Sequence, residues 1–187
     1  IKLVYFKHWW LYASTMRKIV LKILVLLISF SFFSYANSAD DKTLDKQIEL
    51  NLYTGMFDFS DGKQRSGLVG LQHQNDELYR KSFLGNLSPI SGGFLTEKNA
   101  FYLYTGVQTE YEVGFLTITP SFAPGYYNYG DGKDLGYPLE FKTEVQMSFD
   151  ISDSTHLGMS YNHISNASLG SKNPGANSYI FNFLKQF

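Results

Sequence analysis

Past residue 46 the chain alternates apolar and polar side chains with a period of two, broken only by clusters of Gly, Asn, Asp and Ser. That pattern restricts it to β-structure, because successive side chains of a strand point to opposite faces. Ile48, Leu50, Leu52 and Met56 oppose Glu49, Asn51 and Tyr53, and Leu139, Phe141, Val145 and Met147 oppose Glu140, Lys142, Glu144 and Gln146. The spacing predicts eight strands, at 47–59, 65–74, 83–94, 100–108, 113–124, 137–150, 156–166 and 178–187. Their lengths approach or exceed the ~9–11 residues of a tilted membrane-crossing strand, whereas soluble strands run nearer ~5–6. An even number of strands lets an up-and-down sheet close with both ends on one side. Closure is what hydrocarbon demands, since it offers no partner to an open edge of N–H and C=O groups. The expected fold is therefore all-β, an eight-stranded antiparallel transmembrane β-barrel; alternation alone would also suit a soluble sandwich or lipocalin-like barrel.

The region before the barrel has a different character. Met16-Arg17-Lys18 opens a basic segment, Ile19 to Phe33 is almost wholly apolar, and Ser34-Tyr35-Ala36 offers small residues at signal-peptidase spacing. Residues 16–36 are expected to be a secretory signal peptide, cut after Ala36 or Ala39, residues 1–15 to be upstream translation, and 37–187 to be the mature domain. Residues 1–36 hold five of the 16 basic residues and no acidic one, which leaves 11 basic against 17 acidic residues beyond them. A chain of that balance is a poor partner for nucleic acid. Cysteine is absent, so export brings no disulfide framework and no zinc–thiolate site. His73 and His156 have no acidic residue in ligand-like spacing, and neither a metal nor a cofactor is expected.

Aromatic residues make up 17% of the chain. Many fall near strand ends, as in Tyr102, Tyr104, Tyr126, Tyr127 and Tyr129, where interfacial girdles would explain them. The last strand places Tyr179, Phe181, Phe183 and Phe187 on one face. A terminal aromatic on an amphipathic final strand resembles the signal by which bacterial outer-membrane barrels are recognised by their assembly machinery.

With both ends periplasmic, the seventh strand climbs outward and brings His163 and Ser165 to its outer end. Residues i and i+2 share a face, so the imidazole and the hydroxyl stand in line with Leu157, Met159 and Tyr161, toward lipid. Histidine can take the serine proton at neutral pH. Alone, a His-x-Ser pair also suits an ordinary interfacial position.

The run His163-Ile164-Ser165-Asn166-Ala167-Ser168-Leu169-Gly170 with Asn173-Pro174-Gly175 resembles the signature of the lipid A 3-O-deacylases of the PagL type. Supporting segments are Thr119-Pro120-Ser121-Phe122, Gly125-Tyr126-Tyr127, Gly130-Asp131-Gly132, Leu135-Gly136 and Leu139-Glu140-Phe141. The resemblance implies an eight-stranded barrel in the outer membrane of a Gram-negative bacterium, acting without a cofactor on the 3-hydroxyacyl ester of lipid A. It assigns His163 as general base, Ser165 as nucleophile and Asn166 to the oxyanion. The family's third member is a glutamate fourteen residues after the histidine; here Asn177 stands there, able to orient the imidazole but carrying no charge. Glu140 and Glu144 could replace that charge, but alternation puts them on the inner face. The implied partners are lipid A, the bilayer and, through Phe187, the assembly machinery, with a homodimer through the barrel wall left open. A non-enzymatic structural or binding barrel is the competing reading, kept alive by Asn177. An acyltransferase barrel is a third, disfavoured because such enzymes hold their site inside.

Overall fold

The computed structural model describes residues 48–187. The expected leader, the segment before it and residues 37–47 lie outside the described residues. In chain order the strands are β1 (Ile48–Phe57), β2 (Ser66–Asn75), β3 (Arg80–Ser82), β4 (Gly85–Thr96), β5 (Phe101–Gln108), β6 (Tyr111–Val113), β7 (Leu116–Asn128), β8 (Leu139–Ser152), β9 (Thr155–Ser165) and β10 (Ala176–Gln186). Eight of these are long and every pairing is antiparallel. β2 pairs with β4, β5 with β7, and β10 returns to β1 with Glu49 opposite Gln186 and Met56 opposite Tyr179. The sheet has no free long edge. The expected closed eight-stranded antiparallel barrel is the fold observed.

Two departures from the expected strands share one cause. β3 and β6 are short hairpin partners added to the starts of β4 and β7, turning at Phe83-Leu84 and Gly114-Phe115. Gly114 has a φ of +67°, which a two-residue hairpin turn favours. These hairpins extend the wall at the end that holds 76–84, 109–115 and 153–154; the loops 58–65, 97–100, 129–138 and 166–175 gather at the other.

The barrel is apolar outside and polar inside. Leu52, Leu71, Leu95, Leu103, Val145 and Phe181 are exposed on the outer face, whereas Asn51, Gln72, Gln146, Ser160 and Asn182 are buried in the interior. Burying amides is costly unless they find partners. Here Asn51 donates to Gln146 and Asn182, Asn182 to Ser160, and Gln72 to Gln108. Lys142 sits inside, 3.2 Å from Glu144 and 4.1 Å from the centre of the Tyr104 ring. Glu144 in turn accepts from Asn162. At the loop end the interior becomes apolar, with Phe57, Phe94, Tyr102, Tyr127, Leu135 and Ile164 packed together.

The tyrosines divide differently from the expected girdle. Tyr126 and Tyr129 are exposed on the outside, but Tyr102, Tyr104 and Tyr127 are buried within. Strand parity turns these rings inward, and glycines make room for them. A Cβ at Gly125 would lie 2.6 Å from the Tyr102 ring, and one at Gly92 would lie 2.8 Å from the Tyr104 hydroxyl. The buried hydroxyls are satisfied: Tyr102 donates to the carbonyls of Ala123 and Glu140, and Tyr104 to Gln72. Replacing Gly125 by Val should lower unfolding stability by about 1–3 kcal/mol, the usual cost of overpacking. Urea titration of the protein folded in micelles measures this, and wild-type stability in the variant would contradict the tyrosine-over-glycine packing.

Candidate active site

The site forms where β9 turns into β10. Along β9, Leu157, Met159 and Tyr161 are exposed while Ser160, Asn162 and Ile164 are buried, so His163 and Ser165 take the outward parity. Both are half-buried. The return strand is set by Asn173-Pro174-Gly175, whose glycine has a φ of +62°. Its register puts Asn177 directly opposite His163.

The expected orienting contact is present. His163 Nδ1 lies 2.8 Å from Asn177 Oδ1. An amide oxygen can only accept, so Nδ1 carries the proton and Nε2 keeps its lone pair. Tyr161 donates its hydroxyl to the same oxygen at 2.9 Å. The main chain is held as well, since the Phe59 N–H donates to the Asn177 carbonyl at 3.0 Å. Gly175 backs the imidazole: a Cβ there would come within 2.7 Å of His163 Cε1.

Ser165 completes the row on the outer face. Among the described residues no hydrogen bond engages its hydroxyl, so the bond to the imidazole is not formed in this state; such contacts often tighten only around substrate. Phe141 is its partner across the β8–β9 ladder and stacks on Phe122 at 6.0 Å. On the opposite flank Phe59 packs on Tyr179 at 4.3 Å, and Tyr179 on Tyr161 at 5.5 Å. The pair therefore lies between two aromatic clusters on an apolar wall.

Asn166 takes a structural position. Its side chain is fully buried and donates to the carbonyls of Leu135 at 2.7 Å and Lys172 at 2.9 Å, while its own N–H donates to Asn173 Oδ1 at 3.0 Å. Its donors are thus committed. The next two residues, Ala167 and Ser168, are both left-handed, with φ of +51° and +63°, and no hydrogen bond engages their N–H groups among the described residues. Lys172 also reaches Asp134 at 2.8 Å, tying this loop to 129–138 and holding the Asp134 carboxyl below its usual range. Glu140 and Glu144 face inward, as alternation required, and do not approach the imidazole as replacements for Asn177. Among the described residues no cluster could hold a metal ion.

Reading by motif left out two contributors, the Tyr161 hydroxyl and the absent Cβ of Gly175. Tyr161 had a signal in its parity, two residues before His163 on the same face; Gly175 had none beyond its place in a turn. Gly175→Ala strains a left-handed residue and pushes the imidazole aside. The 2.8 Å contact to Asn177 does not survive an ångström of displacement, so the variant should shift the His163 imidazole resonances in NMR of the protein folded in micelles while still forming the barrel.

A closed antiparallel barrel with a polar interior and an apolar exterior, carrying a histidine–serine row on its outer wall, has the architecture of outer-membrane β-barrels. The family model "Lipid A 3-O-deacylase (PagL)" matches residues 65–185, more than half of the chain. The chain belongs to this family. Among solved structures it is similar to "Crystal structure of the outer membrane enzyme PagL", at 18% identity and a TM-score of 0.55, over 73% of this chain and 98% of that one. A chain from "De novo design of transmembrane beta-barrels" matches with 11% identity and a TM-score of 0.54, over 79% of this chain and 100% of the other. At such identities the likeness speaks for the fold alone. No curated protein matches the chain.

Proposed function

We propose that the protein is an outer-membrane serine esterase that removes the 3-O-linked 3-hydroxyacyl chain of lipid A. Family membership supplies the reaction, and the His163–Asn177 contact at 2.8 Å carries the mechanism. Ser165 attacks the ester carbonyl as His163 Nε2 takes its proton. Collapse of the tetrahedral intermediate expels the sugar oxygen, which the imidazolium protonates, and water then releases the acyl chain from Ser165 by the same steps. The outward parity of both residues suits a lipid that stays in the bilayer.

The oxyanion needs N–H donors aimed at developing charge. Asn166 serves that need by tying down the turn, and the unengaged Ala167 and Ser168 amides are the proposed donors. Asn177 keeps the imidazole in the right tautomer but leaves the imidazolium without a facing carboxylate. Such a machine should run slowly. Phe187 is proposed to direct assembly into the outer membrane of a Gram-negative cell.

Mass spectrometry of lipid A from cells expressing the protein tests the reading. Loss of one 3-hydroxyacyl chain is expected, and His163→Ala and Ser165→Ala should each abolish it. In a serine protease, exchanging the third-member carboxylate for an amide costs about 10⁴ in rate; Asn177→Glu should accordingly raise deacylation by roughly tenfold or more. An unchanged lipid A profile with the wild-type protein would favour a structural or binding barrel, and added mass an acyltransferase.

A further inference from the structure

Glu140 is a buried ionisable group for which the proposed chemistry has no use. It is the second residue of β8, points into the barrel and is 0% exposed. Neither of its carboxyl oxygens has a hydrogen-bond partner. Phe141 pairs with Ser165, so the antiparallel ladder sets Glu140 beside Asn166, with both side chains buried inside the wall. Asn166 has the complementary defect: both side-chain hydrogens go to the Leu135 and Lys172 carbonyls, while its Oδ1 is buried without a donor.

An ionised carboxylate here would be a buried charge beside an amide whose two hydrogens already go to the Leu135 and Lys172 carbonyls. Lys142, two residues along on the same face, is committed to Glu144. The Tyr102 hydroxyl is turned to main-chain carbonyls. Two buried acceptors on adjacent positions of the ladder are both satisfied by one proton placed between them.

We propose that Glu140 is held as a neutral acid whose O–H donates to Asn166 Oδ1, and that this bond positions the turn carrying Ser165, Ala167 and Ser168. Glu140 is a positioning residue: it acts through Asn166 from inside the wall and never meets the lipid. It locks the knot by which Asn166 joins the end of β9 to the loops 129–138 and 166–175.

The test compares the full-length wild type with Glu140→Gln and Glu140→Leu, folded in micelles at neutral pH. The wild type should show the infrared C=O stretch of a protonated carboxyl that Glu140→Gln lacks; its absence from the wild type overturns the proposal. Glu140→Gln offers an N–H to the same oxygen and should keep wild-type amide hydrogen exchange over 166–173, whereas Glu140→Leu should exchange at least several-fold faster there. Equal exchange in Glu140→Leu and wild type, or Glu140→Gln as fast as Glu140→Leu, overturns it. Should Glu140→Leu not fold, the infrared band and the Glu140→Gln exchange decide by themselves. The activity arm rests on the hydrolase reading: kcat for deacylation should fall about tenfold in Glu140→Leu, as expected for a misplaced catalytic turn, with KM unchanged and rescue by Glu140→Gln. Failure of that reading would show as wild type without activity, which leaves the infrared and exchange results standing.

Discussion

Every long strand of this protein finds a partner on both sides, and the β1–β10 pairing is the contact that makes this true. A sheet with an apolar outer face can sit in hydrocarbon only if its edges are gone, since an unpaired peptide group there costs several kcal/mol. Closure then reverses the usual economy of a folded chain. The surface is Leu, Val, Met and Phe, and the centre is a network of Asn, Gln, Ser, Glu and Lys. Low dielectric strengthens the bonds of this network and makes each of its gaps costly.

The candidate site lies on the β9–β10 hairpin of this sheet. His163 and Asn177 are fourteen residues apart but become cross-strand neighbours because Pro174 and Gly175 fix where β10 begins. One residue of slip would send the whole of β10 to the opposite face, taking the Asn177 amide into the lumen. The turn is held from below by Asn166 and from beside by the Phe59 amide, so the imidazole is oriented by three separate loops at one end of the barrel. The Asn177 amide oxygen meets the imidazole N–H without carrying a charge.

Strand positions were legible because period-2 alternation is a direct record of which face meets which solvent. The eight expected segments coincide with the eight long strands to within a few residues. β3 and β6 escaped because three-residue strands carry too little alternation to read. The inward turn of Tyr102, Tyr104 and Tyr127 is implicit in parity, but a tyrosine suits an interface and a lumen alike, and the glycines that admit the rings lie on neighbouring strands. At the site, His163 and Ser165 were readable as a shared face. The commitment of the Asn166 donors was not, because Leu135 and Lys172 reach it through main-chain carbonyls, which no side-chain pattern encodes.

By itself the sequence determined that the chain makes long amphipathic strands, that their number is even, and that an imidazole and an alcohol emerge on the apolar side. These are local properties, fixed by the two-residue repeat of an extended backbone. Tertiary structure alone decided which groups meet: Tyr161 with Asn177, Gly175 under the imidazole, Asn166 with the Leu135 and Lys172 carbonyls. Such contacts depend on register between strands and on loops that cross the barrel's end, and register belongs to the closed sheet rather than to any one segment.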